Sequence, residues 1–236
     1  VNSHRKLIDG REMYPHMHGD QGWYAYSPAR YGHGALEVYY WSMRREDRER
    51  LPAEGWLAFL DGKASGYPEE ALRRDLDLVR RRVEGLRRDP TTPDTRLADD
   101  PLKFNPAAVG SLIQLALGGL DPGNRGTVLH ARLRYFDPER RRAGLPEDVA
   151  ALVEGFGAEE ATVTLVNIHQ TQPRTVVVQG GTYGEHRFTG ARWGERSLAL
   201  DAARLTVRLA PGAGGKLVLG MKRYANPPRL TFPWSG

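Results

Sequence analysis

Cysteine is absent from the chain, which excludes disulfides, thiolate metal sites and cysteine nucleophiles together. The compartment stays open, because a protein without cysteine is stable in any redox environment. Long apolar runs are absent as well. No stretch approaches the roughly 18 consecutive apolar residues of a membrane span, and the opening VNSHRKLIDG lacks the apolar centre of a signal peptide. The chain is read as having no membrane span and no export signal as it stands; if a signal has been removed, a periplasmic or secreted site is slightly favoured. There is no G-x-S-x-G elbow, no H-E-x-x-H and no P-loop pattern. The GxxGxxG-like spacings never follow a strand and open a helix, so a dinucleotide site is not expected. Internal repeats and low-complexity tracts are also missing.

What is present is an ordinary globular composition. With 236 residues, 40% of them hydrophobic and 27% charged, the chain has room for one large or two small domains. Arginine far exceeds lysine and the net charge is +5. The basic residues are spread over every segment, often beside Asp or Glu, instead of forming one basic and aromatic face, so nucleic-acid binding is not expected.

Residues 1–22 show no clean period and read as a long ordered loop. Ser27-Pro28 has the form of an N-cap followed by proline at the first helical position. A helix to about Arg50 is expected, with Leu36, Tyr39, Tyr40 and Met43 on one face. Pro52 opens a shorter helix with Trp56, Phe59 and Leu60, stopped by Gly62. From Tyr67-Pro68 onward, Leu72, Leu76, Val79, Val83 and Leu86 recur at alternating spacings of four and three, a narrow apolar seam expected to pack on the preceding helices.

The stretch DPTTPDTRLADDPLKF interrupts every period and reads as a polar connector over 89–104. Beyond it, Val109, Leu112, Ile113 and Leu117 form a short helix stopped at Gly118-Gly119. Thr127–Phe136 alternates as a strand, with His130, Arg132 and Arg134 on its polar face. Leu145-Pro146 opens a helix containing Val149, Leu152, Val153 and Phe156. Residues 161–188 read as a β-hairpin around which the domain is organised, flanked by strands at Arg204–Leu209 and Lys216–Lys222. The proline-rich end lies extended, anchored by Phe232 and Trp234.

Two polar concentrations are candidate sites. In the N-terminal loop, His16, His18 and Asp20 share one side of an extended segment and are the candidate catalytic groups, while Trp23, Tyr24, Tyr26 and Tyr31 offer flat apolar faces to sugar rings. The same residues also fit a structural loop or part of a metal site, although no further strong ligand can be identified and none is assigned. The second concentration is QGGTYGEH, residues 179–186, either a ligand approach with Tyr183, Glu185 and His186 around it or a bulge and turn at a strand end. No cofactor can be named.

The segments LHARLRYFDPERRRAGLPEDVAALV and TLVNIHQTQPRTVVVQGGTYGEH, and the order of elements around them, resemble the C-terminal part of bacterial proteins that join an α/α toroid to a β-sandwich, as in many glycoside hydrolases and polysaccharide lyases. The resemblance implies an α+β fold: N-terminal helical hairpins, part of a toroid, over 1–88, a linker at 89–104, and an antiparallel β-sandwich domain with short helices over 105–236. It also implies a fragment or subunit of a carbohydrate-active enzyme with a glycan substrate. Another polypeptide, or a preceding part of the same one, would complete the toroid. The alternative is a non-catalytic β-sandwich binding or assembly subunit that docks to a larger partner. Limited proteolysis is expected to cut first between Asp89 and Phe104; protection there, with cleavage inside 161–179 instead, overturns this division.

Overall fold

The computed structural model describes residues 4–28, 33–92, 94, 105–120 and 128–235. The chain divides into two compact units, Val1–Ala53 and Glu54–Gly236. The 89–104 connector falls largely outside the described residues. Among the described residues the architecture is mostly antiparallel β, with three sheets and comparatively little helix. The expected run of helical hairpins forming part of a toroid is not what the N-terminal region adopts.

In the first unit, β1 (Lys6–Ile8), β2 (Arg11–Gly19) and β3 (Gly22–Ser27) form an antiparallel sheet in that order. The turn between β1 and β2 is Asp9-Gly10, both at positive φ, the residue pair that a two-residue hairpin favours. The strands escape the period-two test because the β2–β3 register slips twice, between Pro15 and Met17 and between Met17 and His18. Each slip moves the side chains that follow to the opposite face. Helix α1 (His33–Ser42) follows, and Met43 at φ 53 ends it well before Arg50. A single turn, α2 (Arg45–Arg48), completes the unit.

The second unit begins with α3 (Gly55–Leu60) and α4 (Tyr67–Arg88), then α5 (Gly110–Leu117). Trp56 of α3 stacks on Phe59 at 5.7 Å and lies 6.3 Å from Phe156. Helix α4 buries its leucine seam only in part, with Val79, Val83 and Leu86 half-buried and Leu72 and Leu76 exposed. It turns Ala71, fully buried, and Asp75 toward α5, where Ser111 donates its N–H to Asp75 Oδ2 at 3.0 Å and its hydroxyl to Ala71 O at 3.1 Å. A small side chain at the contact lets the two backbones approach this closely. Leu76, in contrast, is 54% exposed. Gly118 at φ 58 stops α5 as expected.

Nine strands follow, in two sheets that fit a β-sandwich. The five-stranded sheet has the order β10 (Arg196–Ala202), β9 (Arg187–Trp193), β12 (Gly214–Lys222), β7 (Glu160–Asn167), β6 (Val149–Phe156). The four-stranded sheet has the order β11 (Arg204–Leu209), β8 (Arg174–Gly180), β4 (Leu133–Asp137), β5 (Arg142–Ala143). The helix expected after Pro146 is strand β6, because Val149 and Val153, four apart, share a face of a strand as readily as of a helix. The expected hairpin over 161–188 is not a hairpin either. Strand β7 pairs with β6 and β12, whereas β8 pairs with β4 and β11, so the chain changes sheet between them. Ala161, Val163 and Leu165 on β7 and Val176 and Val178 on β8 are all fully buried. Near the end, Phe232 and Trp234 each meet the edge or face of Phe136 at 6.1 Å, the anchoring expected of them. Among the described residues no helix is long and apolar enough to cross a membrane.

Asn167, fully buried at the end of β7, fastens two changes of sheet at once. Its Nδ2 donates to Gln172 O at 2.8 Å, in the β7–β8 connection, and to Ala210 O at 3.1 Å, in the β11–β12 connection; its Oδ1 accepts the His169 N–H at 3.0 Å. Replacing Asn167 by Ala removes these hydrogen bonds from a fully buried position and is expected to cost about 1–3 kcal/mol. Urea unfolding measures this, and a loss below about 0.5 kcal/mol contradicts the assignment.

Candidate functional site

The residues singled out in the N-terminal loop stand on the β2–β3 hairpin. Half-buried His16 sits at the first register slip, and exposed His18 pairs across the ladder with Trp23, their rings edge to face at 5.0 Å. Asp20 is exposed in the turn. Tyr24 is 68% exposed and its hydroxyl reaches Met17 Sδ at 3.5 Å, while the Tyr26 ring lies under Lys6 Nζ at 4.8 Å. Tyr31 lies outside the described residues. The hairpin therefore engages its aromatics with strand neighbours and leaves His18 and Asp20 facing water. Among the described residues no group of three His, Asp or Glu is placed to hold a metal.

A second constellation forms in the other unit, around residues 179–186. Gly181 (φ 80) and Gly184 (φ 71) fold the stretch into a tight loop over a carboxylate. A Cβ on Gly181 would stand 2.3 Å from Glu185 Cδ, so only glycine fits there. Glu185 Oε2 accepts the Tyr183 N–H at 2.7 Å, and further backbone N–H groups of the same loop also bond it. Burial pushes its pKa up; these hydrogen bonds and the nearby Arg132 guanidinium oppose the rise. The loop is the turn at a strand end, filled by its own side chain.

Side chains from distant segments tie it down. Gln179 Nε2 donates to Gly181 O and Thr182 O at 3.2 and 3.1 Å, and its Oε1 accepts from Arg204 Nε at 2.8 Å. Arg134 Nη1 donates to Thr182 O at 2.9 Å. Asn226 Nδ2 donates to Gly184 O at 3.0 Å, and the Asn226 N–H to Glu185 O at 3.2 Å.

Beside the loop lie His186, fully buried, and His130, with Tyr224 linking them. His186 Nδ1 accepts the Tyr224 N–H at 3.2 Å, which places the ring proton on Nε2, and the two rings meet edge to face at 4.9 Å. Tyr224, at φ 51, also brings its hydroxyl 3.1 Å from His130 Nε2. Burial, reinforced by Arg132 and Arg223, lowers His130 to about 4 and His186 to about 3. Both imidazoles are neutral at pH 7. Arg132, only 1% exposed, sets its guanidinium 5.1 Å from the centre of the Phe156 ring. An open groove of about 610 Å³ adjoins at Arg223, lined also by Glu159, Thr189, Met221 and Lys222.

Of this constellation, the sequence pattern singled out only Tyr183, Glu185 and His186. It assigned His130, Arg132 and Arg134 to a polar strand face without foreseeing that residues 181–186 and 223–226 cover that face. Tyr224 is 94 residues from His130, and no local period reports such a contact. No family model matches the chain, and neither a curated protein nor a solved structure does.

The lowered histidines give a signed prediction. An unfolded imidazole titrates near 6.5, above its folded value, so the stability that each neutral ring contributes is complete above about 6.5 and is lost as pH falls toward 4 and then 3. Glu185, being raised, acts in the opposite sense: its contribution is complete below the ordinary carboxylate value of about 4.5 and is lost as pH rises above it. The melting temperature is expected to fall between pH 6.5 and 4. His186→Gln should flatten that slope by roughly 1 kcal/mol per pH unit; an unchanged slope in the variant contradicts the assignment.

Proposed function

We propose that the chain is a non-catalytic β-sandwich assembly module that docks onto a larger polypeptide. The observation that carries this reading is the apolar surface of the first unit, where Tyr24 (68%) and Trp41 (54%) stand exposed, with Leu7, Met17 and Val38 exposed as well. Five large apolar side chains exposed on a unit of about 50 residues support an interaction role for that unit. The polar groups of the sandwich support the same reading, because Glu185, Gln179 and Asn226 are spent on holding the chain's own backbone. A scaffold needs such groups for shape, whereas a reactive centre needs them turned toward a substrate.

The test is site-specific photo-crosslinking in the producing cell, with the photoreactive residue at position 24 or 41 and a control at exposed Glu195. Discrete adducts to one polypeptide from 24 and 41, absent from 195, are expected. Binding of oligosaccharides on a glycan array that disappears in His18→Ala, with the melting temperature unchanged, overturns the proposal in favour of a carbohydrate-active enzyme working through the hairpin.

A further inference from the structure

The chain beyond Lys222 lies outside the sandwich ladders. Residues 223–235 form no strand or helix, and the pairings of both sheets end at or before Lys222. Side-chain and backbone bonds hold the segment across the rim instead. Arg223 Nε donates to Ala158 O at 3.1 Å, Asn226 Nδ2 to Gly184 O at 3.0 Å and the Arg229 N–H to Tyr183 O at 2.8 Å, while Thr231 O accepts from Arg204 Nη2 at 2.8 Å. Phe232 and Trp234, stacked at 5.3 Å, close over Phe136. Lifting this segment breaks no strand pairing.

Tyr224 is where the segment meets two imidazoles. Its N–H donates to Nδ1 of fully buried His186 at 3.2 Å, and its hydroxyl stands 3.1 Å from Nε2 of half-buried His130. The first bond exists only while Nδ1 carries no proton, since an imidazolium would set donor against donor. The charge around the pair opposes protonation as well. Arg132 acts on both rings from the chain before β4, and Arg223 from the segment itself. Lys222 and Glu159 stand in the open groove beside Arg223. Glu185, from the 181–186 loop, has its carboxylate bonded by backbone N–H groups of that loop.

We infer that residues 223–235 are an acid-released strap: neutral His130 and His186 hold Tyr224 and its segment on the rim, and protonating them frees the segment while both sheets stay paired. The freed form opens both rings to water, where they take up protons near 6.5 instead of near 4 and 3. Between those values the freed form binds more protons than the held one, so acid favours release. Glu185 titrates in the opposite sense and takes back at most one of the two protons. The ratio of freed to held strap is expected to rise by about tenfold or more per pH unit between pH 5.5 and 4.5.

The whole chain has no cysteine, so a single nitroxide can be placed at will. Leu230→Cys, at a strap position 79% exposed, carries the reporter, and Thr206→Cys, exposed on β11, carries the control. Electron paramagnetic resonance is expected to show the label at 230 becoming reversibly more mobile from pH 6 to 4.5, while the label at 206 and the far-ultraviolet circular dichroism stay unchanged. His186→Gln and His130→Gln should each lower the pH slope at 230, and the two together should abolish it. His130→Gln, at the less buried position, carries the test if His186→Gln does not fold. Asn226→Ala should raise mobility at 230 already at pH 7.5. Loosening of both labels together is global acid unfolding and overturns the inference. So does a label at 230 that is equally mobile at pH 7.5 and 4.5, or a pH slope that His130→Gln and His186→Gln leave as it was.

Discussion

The constraint on which the second unit rests is that its strands reach their partners by leaving the sheet they are in. Successive strands β7 and β8 lie in different sheets, as do β11 and β12, so each connection must cross the edge of the sandwich and bring polar backbone into its rim. A buried backbone carbonyl without a donor is costly. The Asn167 carboxamide supplies donors to both crossings from one fully buried position. It binds the two connections to each other as well as to β7. The apolar residues of β7 and β8 can then be buried without stranding the backbone that leads from one to the other.

The opposite end of β8 meets the same problem by a different route. There the chain turns through residues 181–186, and backbone N–H groups of the turn bond a carboxylate the turn itself carries, Glu185, under a glycine that leaves no room for a side chain. Gln179, Arg134 and Asn226 then take up the turn's carbonyls. The arrangement buries ionisable groups deeply enough to hold His130 and His186 neutral. Their perturbation is accounted for by the rim of the sandwich and needs no catalytic role, although perturbed groups in a cleft are ordinarily the first sign of one.

If polar groups are turned inward at the rim, apolar ones are turned outward elsewhere. The hairpin unit displays Tyr24 and Met17, α1 displays Trp41 and Val38, and α4 displays Leu72 and Leu76. Each of these elements also buries a side chain of its own, Tyr14 on β2, Tyr40 on α1 and Ala71 on α4. An amphipathic helix buries one stripe; α4 buries the one centred on Ala71 and leaves Leu72 and Leu76 of its leucine seam exposed.

Much of this was legible in the sequence. Period-two alternation marked β7, β8, β11 and β12, the four-three spacing marked α4, Gly118 marked the end of α5, and the aromatic pair near the end was recognisable as an anchor. These features are local, since a side chain's face follows from its neighbours in sequence through backbone geometry alone. The β2–β3 sheet was hidden by two register slips, and β6 by a four-residue spacing common to strands and helices. Strand partners, the burial of Arg132, and the meeting of His130 with Tyr224 were decided only by the tertiary structure. Alternation says which side of a strand is apolar but not which strand lies beside it. Whether a polar face meets water or another segment depends on chain that returns from far along the sequence.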